Sequence, residues 1–178
     1  MTSKRAVGGG ATGKWPTKIQ LLLNNNRLRE QRFSKAEVAA LWQKAITTAR
    51  DASLPKLSIE SAIRLGYDAG HAAALAFLAA RGLRTGGGHG HHEMAFYGAA
   101  AFGDPGLSDL VADSEEIRGL RHGSMYDPTI AKAKDRKDAI AWMKNAIPAL
   151  HAALVAFDPS FPGQLPTIPE TPPTQLSS

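Results

Sequence analysis

The chain has 178 residues, enough for one hydrophobic core of ordinary size. It contains no cysteine, which excludes disulfide bonds, thiolate catalysis and cysteine-ligated zinc. The net charge of +5 is uneven, because residues 1–35 hold eight basic residues and one acidic residue, whereas the remainder sums to −2. This leading segment is either a solubilising arm or an arm that attracts nucleic acid or an acidic partner. No basic stripe is evident in the rest of the chain.

Targeting signals are not evident in the sequence. A glycine run follows Lys4 and Arg5, where a signal peptide needs an apolar stretch. The longest nearly apolar run, residues 72–80, is too short to span a bilayer. We therefore expect a cytoplasmic protein without a membrane segment.

The predicted elements begin with a disordered basic segment over residues 1–15. A short helix follows within residues 16–27. The first strong helix starts at Ser34, which has capping-box spacing to Glu37, and it ends before Pro55.

A second, alanine-rich helix is predicted from Ser58 to Arg81, and Gly82 provides its left-handed stop. Several small residues recur on one side of this helix and imply that another helix approaches closely: Ala62, Gly66, Gly70, Ala73 and Ala74. Residues 84–92 are rich in glycine and histidine and are predicted to form a loop.

The third helix is predicted to begin near Glu93, to restart with Asp104 as its N-cap, and to end at Asp127. The fourth helix is predicted over residues 129–157, with a bend at Pro148.

These elements predict an all-α fold, an antiparallel four-helix bundle with a short N-terminal helix. Residues 16–157 form its single domain, and a proline-rich disordered tail occupies residues 158–178. The sequence shows no alternating pattern typical of strands.

The end of the third helix, R-G-L-R-H-G-S-M-Y-D at residues 118–127, is the most informative stretch. Helical spacing of three and four residues groups the side chains of Arg118, Arg121, His122 and Met125, with Tyr126 following. Two guanidinium groups and an imidazole are suited to holding a phosphate or a carboxylate. The same residues also suit an ordinary helix end, where arginines meet the negative end of the helix dipole.

Residues 34–157 resemble the HEPN domains of prokaryotic toxin–antitoxin and defence systems. The resemblance rests on K-A-E-V-A-A-L-W-Q-K-A in the first helix, Y-D-A-G-H-A-A-A-L-A-F-L-A-A-R-G in the second, the loop G-H-G-H-H-E, and an Arg-polar pair followed by M-Y-D. It implies a two-fold homodimer that cuts RNA without metal at the end of the third helix. It also implies RNA, or a nucleotidyltransferase-type protein, as a partner.

The family motif consists of an arginine, a polar residue and a later histidine. Arg121 and His122 match its first half, but Tyr126 stands near the position of the later histidine. Counting from Arg118 instead leaves His122 one residue short of the family spacing. Because a phenol is a poor general base near neutral pH, we expect no robust catalysis. The site is assigned to Arg121, His122 and Tyr126, with Arg118, Arg121, His91 and His92 as phosphate-binding residues.

Three functions remain open from the sequence. The first is a toxin–antitoxin or defence-type module that binds RNA, nucleotide or a protein partner without robust catalysis. The second is a metal-independent endoribonuclease toxin in which His122 transfers the proton. The third is an accessory helical bundle with no nucleic-acid role. No cofactor is predicted.

The histidine-rich loop is a weak metal candidate through His89, His91 and His92, whose imidazoles suit nickel or zinc. A structural zinc site needs better-defined geometry, and loop packing is the ordinary alternative. His71 is predicted to be a core histidine, and Tyr67 and Asp68 could hydrogen-bond across to the arginines.

Overall fold

The computed structural model of the protein describes residues 14–87, 90–127 and 131–166, which form six helices and two short strands. The helices are α1 Thr17–Asn24, α2 Lys35–Ala52, α3 Ile59–Ala80, α4 His91–Ala100, α5 Leu107–Tyr126 and α6 Ala133–Phe157. The strands are β1 Leu28–Glu30 and β2 Leu83–Thr85. The predominantly helical fold was therefore predicted correctly, whereas the expectation that the chain forms no strand was wrong.

Helix α1 confirms the short leading helix, and the two residues before it are also packed. The indole N–H of Trp15 donates to the Glu30 carboxylate at 2.5 Å, and Lys14 lies 3.6 Å from the same group. The Trp15 ring meets Phe102 edge-on at 6.2 Å between centroids. The predicted disordered segment thus does not extend to residues 14 and 15, and residues 1–13 lie outside the described part of the chain.

The predicted capping box at the start of α2 is present. The backbone N–H of Glu37 donates to the Ser34 hydroxyl at 3.2 Å, and the backbone N–H of Ser34 donates to the Glu37 carboxylate at 2.7 Å. Two of the four free N–H groups at this helix end are satisfied in this way. Helix α2 then buries Trp42 and a run of alanines against α3.

Helix α3 is the centre of the fold, because α2, α4, α5 and α6 all pack against it. Its small residues allow this, as predicted. A Cβ atom added at Gly70 would lie 2.4 Å from the Trp142 ring of α6, and one at Gly66 would lie 3.4 Å from the Ala139 carbonyl oxygen. The largest fully buried side chains include Trp42, Tyr67, Phe77, Ile63, Met143, Ile147 and Leu150.

Strands β1 and β2 form a small antiparallel sheet that covers one end of the core. Leu28 pairs with Thr85, Arg29 with Arg84, and Glu30 with Leu83. Strands of three residues are too short for an alternating pattern to be recognisable in the sequence. The loop predicted over residues 84–92 is therefore shorter than expected, since Arg84 and Thr85 lie in β2 and α4 begins at His91.

The predicted third helix is divided in two. Helix α4 ends at Ala100 and α5 begins at Leu107, with Gly106 at the N-cap in a left-handed conformation, φ 80°. The predicted N-cap, Asp104, instead pairs with Arg81 at 3.3 Å. An ion pair with a nearly buried guanidinium takes the carboxylate that would otherwise cap the helix.

Helix α6 starts at Ala133, later than predicted, and continues through Pro148 to Phe157. Residues 128–130 lie outside the described part of the chain. Among the described helices, α6 is long and apolar enough to cross a membrane by length and composition. Its apolar residues Trp142, Ile147 and Leu150 are buried in the core with α3.

The segment after α6 was predicted to be a disordered tail, but residues 158–166 pack against the helices. The Trp42 indole N–H donates to the Gln164 carbonyl oxygen at 2.9 Å. His151 Nε2 lies 2.7 Å from the Gly163 carbonyl oxygen, and the Phe161 ring meets Trp42 edge-on. Trp42 and His151 thus bind this segment, while residues 167–178 lie outside the described part of the chain.

Candidate functional site at the end of helix α5

The end of α5 directs two arginines toward neighbouring helices. Arg118 Nη1 lies 2.5 Å from Glu93 Oε1 on α4, and Arg121 Nη2 lies 3.4 Å from Asp68 Oδ1 on α3. The side chain of Arg118 is 41% exposed and that of Arg121 is 25% exposed. Their three-residue spacing places both on the face that packs against α3 and α4. Each predicted phosphate-binding arginine therefore already has a carboxylate partner.

Tyr67 of α3 lies beneath this arginine pair. The Arg121 guanidinium carbon is 5.5 Å from the centroid of the Tyr67 ring, a cation–π distance. The Tyr67 hydroxyl is buried and has no hydrogen-bond partner within residues 14–87, 90–127 and 131–166. Burial raises the pKa of Tyr67 to about 12, although the positive charges of Arg118 and Arg121 oppose this rise. This phenol therefore keeps its proton near neutral pH.

Two histidines reach the same corner of the molecule. The His71 ring is stacked on Tyr67 with 6.2 Å between centroids, and it lies 4.8 Å from the His92 ring. His71 was predicted to be a core histidine, and it lies half-buried between α3 and the start of α4. The structure thus places His92, a predicted phosphate-binding residue, beside His71, which stacks on the tyrosine that Arg121 contacts.

The remaining histidines of the loop are only partly described. His91 begins α4, and its side chain is not among the described ones, whereas His89 lies outside the described residues. Among the side chains that the structure describes, no group of three His, Asp or Glu is arranged to hold a metal ion. The weak metal assignment to His89, His91 and His92 therefore stays a prediction.

His122 and Tyr126 lie on the solvent side of α5. Their rings stack with 5.0 Å between centroids, and Tyr126 is 80% exposed. Successive helical residues point about 100° apart, so His122 turns away from the face that holds Arg121. The structure accordingly places Arg121 against α3, whereas His122, Met125 and Tyr126 form an exposed face at the end of the helix.

Sequence reasoning did not find three residues that shape this corner. Glu93 in the first turn of α4 pairs with Arg118, and the Tyr97 hydroxyl donates a hydrogen bond to Glu115 of α5. That bond is the main cause that raises the pKa of Tyr97. The acidic residue directly after the histidine-rich loop was the available signal, because carboxylates favour the first turn of a helix.

A cavity of about 660 Å³ lies on the other side of Glu93 and Tyr97, between α1, α4 and the start of α5. Lys18 and Arg27 contribute its basic groups, and Leu21, Leu22 and Met94 its apolar wall. The sequence could not indicate this cavity, since it forms only where α1 lies beside α4.

Comparison of the chain with protein-family models, with curated proteins and with solved structures finds no match. The function is therefore inferred from the geometry and the chemistry of the side chains.

Proposed function

We propose that this protein is a HEPN-like helical module that binds RNA and does not cleave it efficiently. The observation that carries the proposal is the pairing of both motif arginines with carboxylates of other helices. An arginine that stabilises charge on a scissile phosphate must offer its donors to that phosphate. Here Arg118 and Arg121 offer donors to Glu93 and Asp68, so they hold α5 against α4 and α3.

Proton transfer points to the same conclusion. Metal-independent RNA cleavage needs a group that takes the proton of the attacking hydroxyl close to the phosphate. His122 stacks on Tyr126 at the surface instead of facing the arginines. Tyr67 does face Arg121, but its pKa of about 12 keeps it protonated near neutral pH. Both features favour a binding module over an endoribonuclease.

The order of the helices supports the HEPN-like assignment. We equate α2, α3, α5 and α6 with the four helices of such a bundle, which leaves α4 as a short additional helix. The Arg-His pair then lies at the end of the third bundle helix, as in the family. The central α3, which packs against the other three, is compatible with this arrangement.

RNA is the ligand that the charges favour. Lys18, Arg27, Arg29 and Arg84 are exposed and form no ion pair within the described part of the chain. The stacked His122–Tyr126 pair adds an exposed aromatic surface on which an unpaired base can stack. In a toxin–antitoxin setting such a module would act as a two-fold dimer beside a nucleotidyltransferase-type partner.

Binding and cleavage of RNA test the proposal together. We expect a labelled single-stranded RNA to bind the full-length chain at low salt, with an affinity that falls as salt rises. We expect no cleavage of that RNA, with or without a chelator. The endoribonuclease would be established instead if cleavage persisted in chelator, was abolished by His122→Ala and was retained in Lys144→Ala, a control at an exposed position of α6. Cleavage that the chelator stops would point to the histidine-rich loop.

A further inference from the structure

The outer face of the two-stranded sheet carries two arginines directly opposite each other. Arg29 of β1 pairs with Arg84 of β2 in the antiparallel register, and both are exposed. Leu28 and Leu83 are buried on the inner face, so alternation along each strand turns the arginines to solvent. Residues opposite each other in such a pair have Cβ atoms about 5 Å apart.

Within the described part of the chain, no carboxylate neutralises this arginine pair. Like charges directly opposite each other destabilise a strand pair. Neither Arg29 nor Arg84 forms an ion pair with any residue that the structure describes. Glu30, the acidic residue of β1, lies on the other face and is held by Trp15 and Lys14. A pair of like charges that costs stability and has no counter-ion among the described residues favours an external anion.

Arg27 continues the positive charge from the sheet to the cavity. Its carbonyl oxygen accepts from the backbone N–H of Gly86 at 2.7 Å, so the strand pairing extends to this residue. Arg27 thus lies directly before β1, beside the paired strands. Its guanidinium lies 3.3 Å from the position of a Cβ at Gly90, and Arg27 lines the cavity together with Lys18.

The cavity provides the apolar surface that the arginines lack. Its volume of about 660 Å³ falls within the range of small-molecule sites, roughly 300–1,000 Å³. Leu21, which is 56% exposed, and Tyr97, which is 38% exposed, lie at its wall. Glu93, its acidic lining residue, is engaged by Arg118 and therefore adds little repulsion toward an anion.

We propose that Arg29, Arg84, Arg27 and Lys18, together with the cavity between α1 and α4, form the binding site for single-stranded RNA. The arginines of the sheet bind successive phosphates, and one base enters the cavity against Leu21 and Tyr97. The inference rests on the proposed RNA-binding function and moves the site from the arginines of α5 to the sheet. The strand pairing brings Arg84 beside the basic leading segment, although the two are far apart in the sequence.

The test compares two double variants that lose the same charge. Arg29→Gln/Arg84→Gln removes the sheet pair, and Arg50→Gln/Arg64→Gln removes two exposed arginines of α2 and α3. Anisotropy of a labelled oligouridylate should show affinity lower by about tenfold or more for the sheet variant and by less than about twofold for the control. The slope of log K against log salt should fall by about 1.4 in the sheet variant, since each single-strand phosphate contact contributes about 0.7.

Two further measurements separate the sheet site from simple charge attraction. Leu21→Glu places a negative charge at the cavity wall and should weaken oligouridylate binding, while inorganic polyphosphate should compete poorly because it offers no base. Thermal melts without RNA should show the Arg29→Gln/Arg84→Gln protein to be at least as stable as wild type, because the variant relieves a repulsion.

The outcomes distinguish this inference from the proposed function. If wild type binds RNA and the sheet variant binds it equally well, the proposed location of the site is overturned, but RNA binding itself stands. Equal losses in the two double variants show attraction by net charge alone and also overturn the site. Failure of wild type to bind RNA at low salt overturns both proposals.

Discussion

The guanidinium group of Arg81 lies 3.3 Å from the carboxylate of Asp104, and only 7% of the Arg81 side chain is exposed. Its guanidinium carbon also lies 3.8 Å from the ring centroid of Phe77, 4.4 Å from that of Phe157 and 4.8 Å from that of Phe102. Burial lowers the pKa of Arg81, and Asp104 counteracts this effect. The ion pair thus joins the end of α3 to the α4–α5 connection, and the contact with the Phe157 ring adds the end of α6.

Asp104→Ala should strongly destabilise the fold, because it leaves a buried guanidinium without its counter-charge. Breaking a buried pair in this way costs about 3 kcal/mol. Urea denaturation measures the loss, and Asp113→Ala, an exposed residue of α5, serves as the control. The double variant Arg81→Met/Asp104→Ala should recover part of the stability because it removes the unpaired charge. A loss below about 1 kcal/mol for Asp104→Ala would show that solvent replaces the carboxylate.

The helices could largely be predicted from the sequence because their signals are local. Ser34 and Glu37 lie three residues apart and form the capping box whatever the rest of the chain does. The roles of Asp104 and of the sheet depend on contacts between distant residues. Asp104 has the sequence context of an N-cap, and only the position of Arg81 explains why Gly106 takes that place.

At the candidate site, too, the local features could be predicted from the sequence and the contacts between distant residues could not. Three-residue spacing was enough to place Arg118 and Arg121 on one face of α5. Their partners, Glu93 and Asp68, lie on two other helices, so the packing of α5 decides whether the arginines meet carboxylates or solvent. The exposure of His122 to solvent follows from the same packing.

Gly70→Ala should destabilise the core, because the added Cβ would lie 2.4 Å from the Trp142 ring. Overpacking of this kind costs about 1–3 kcal/mol. Gly66→Ala is the matched control on the same helix, since its Cβ would lie 3.4 Å from the nearest atom. Alanine is a better helix former than glycine by about 1 kcal/mol, so the control should be neutral or stabilising. Equal losses in the two variants, measured by denaturant unfolding, would contradict the close contact at Gly70.

Tyr67→Phe should stabilise the protein by about 1 kcal/mol at pH 7. The substitution keeps the buried ring and removes a hydroxyl that forms no hydrogen bond with the described residues, and an unsatisfied buried hydroxyl costs about that much. Tyr97→Phe is the control, because it removes a hydroxyl that does bond, to Glu115, and should not stabilise. A marked loss of stability in Tyr67→Phe would reveal a bonded hydroxyl.

The alkaline limb of the stability curve should also depend on Tyr67. Its pKa rises from the ordinary value of 10 to about 12 on folding, so the unfolded chain releases this proton first. Ionisation of this phenol therefore leaves stability unchanged below pH 10 and lowers it as the pH rises toward 12, because the folded chain must keep a proton that the unfolded chain has released. Tyr67→Phe should show a shallower decline over this window in denaturant titrations at successive pH values. Parallel curves for the two proteins would contradict the raised pKa.

The segment after α6 should contribute measurably to stability, because it completes the surroundings of Trp42. Phe161 packs edge-on against the Trp42 ring, and the Gln164 carbonyl oxygen accepts the indole N–H. A chain ending at residue 158 loses both contacts, whereas a chain ending at residue 166 keeps them. Burial of one large aromatic side chain is worth about 2 kcal/mol, so we expect the shorter chain to be less stable by about this amount.

Tryptophan fluorescence provides a local reading of the same truncation. The chain ending at residue 158 should emit at longer wavelength than the chain ending at residue 166, because solvent reaches the indole of Trp42. This difference in emission should disappear when both truncations carry Trp42→Phe, which would assign it to Trp42 and not to either of the other two tryptophans. Equal stability and identical emission of the two truncations would show that residues 159–166 do not bind the helices, and the core would then be complete at the end of α6.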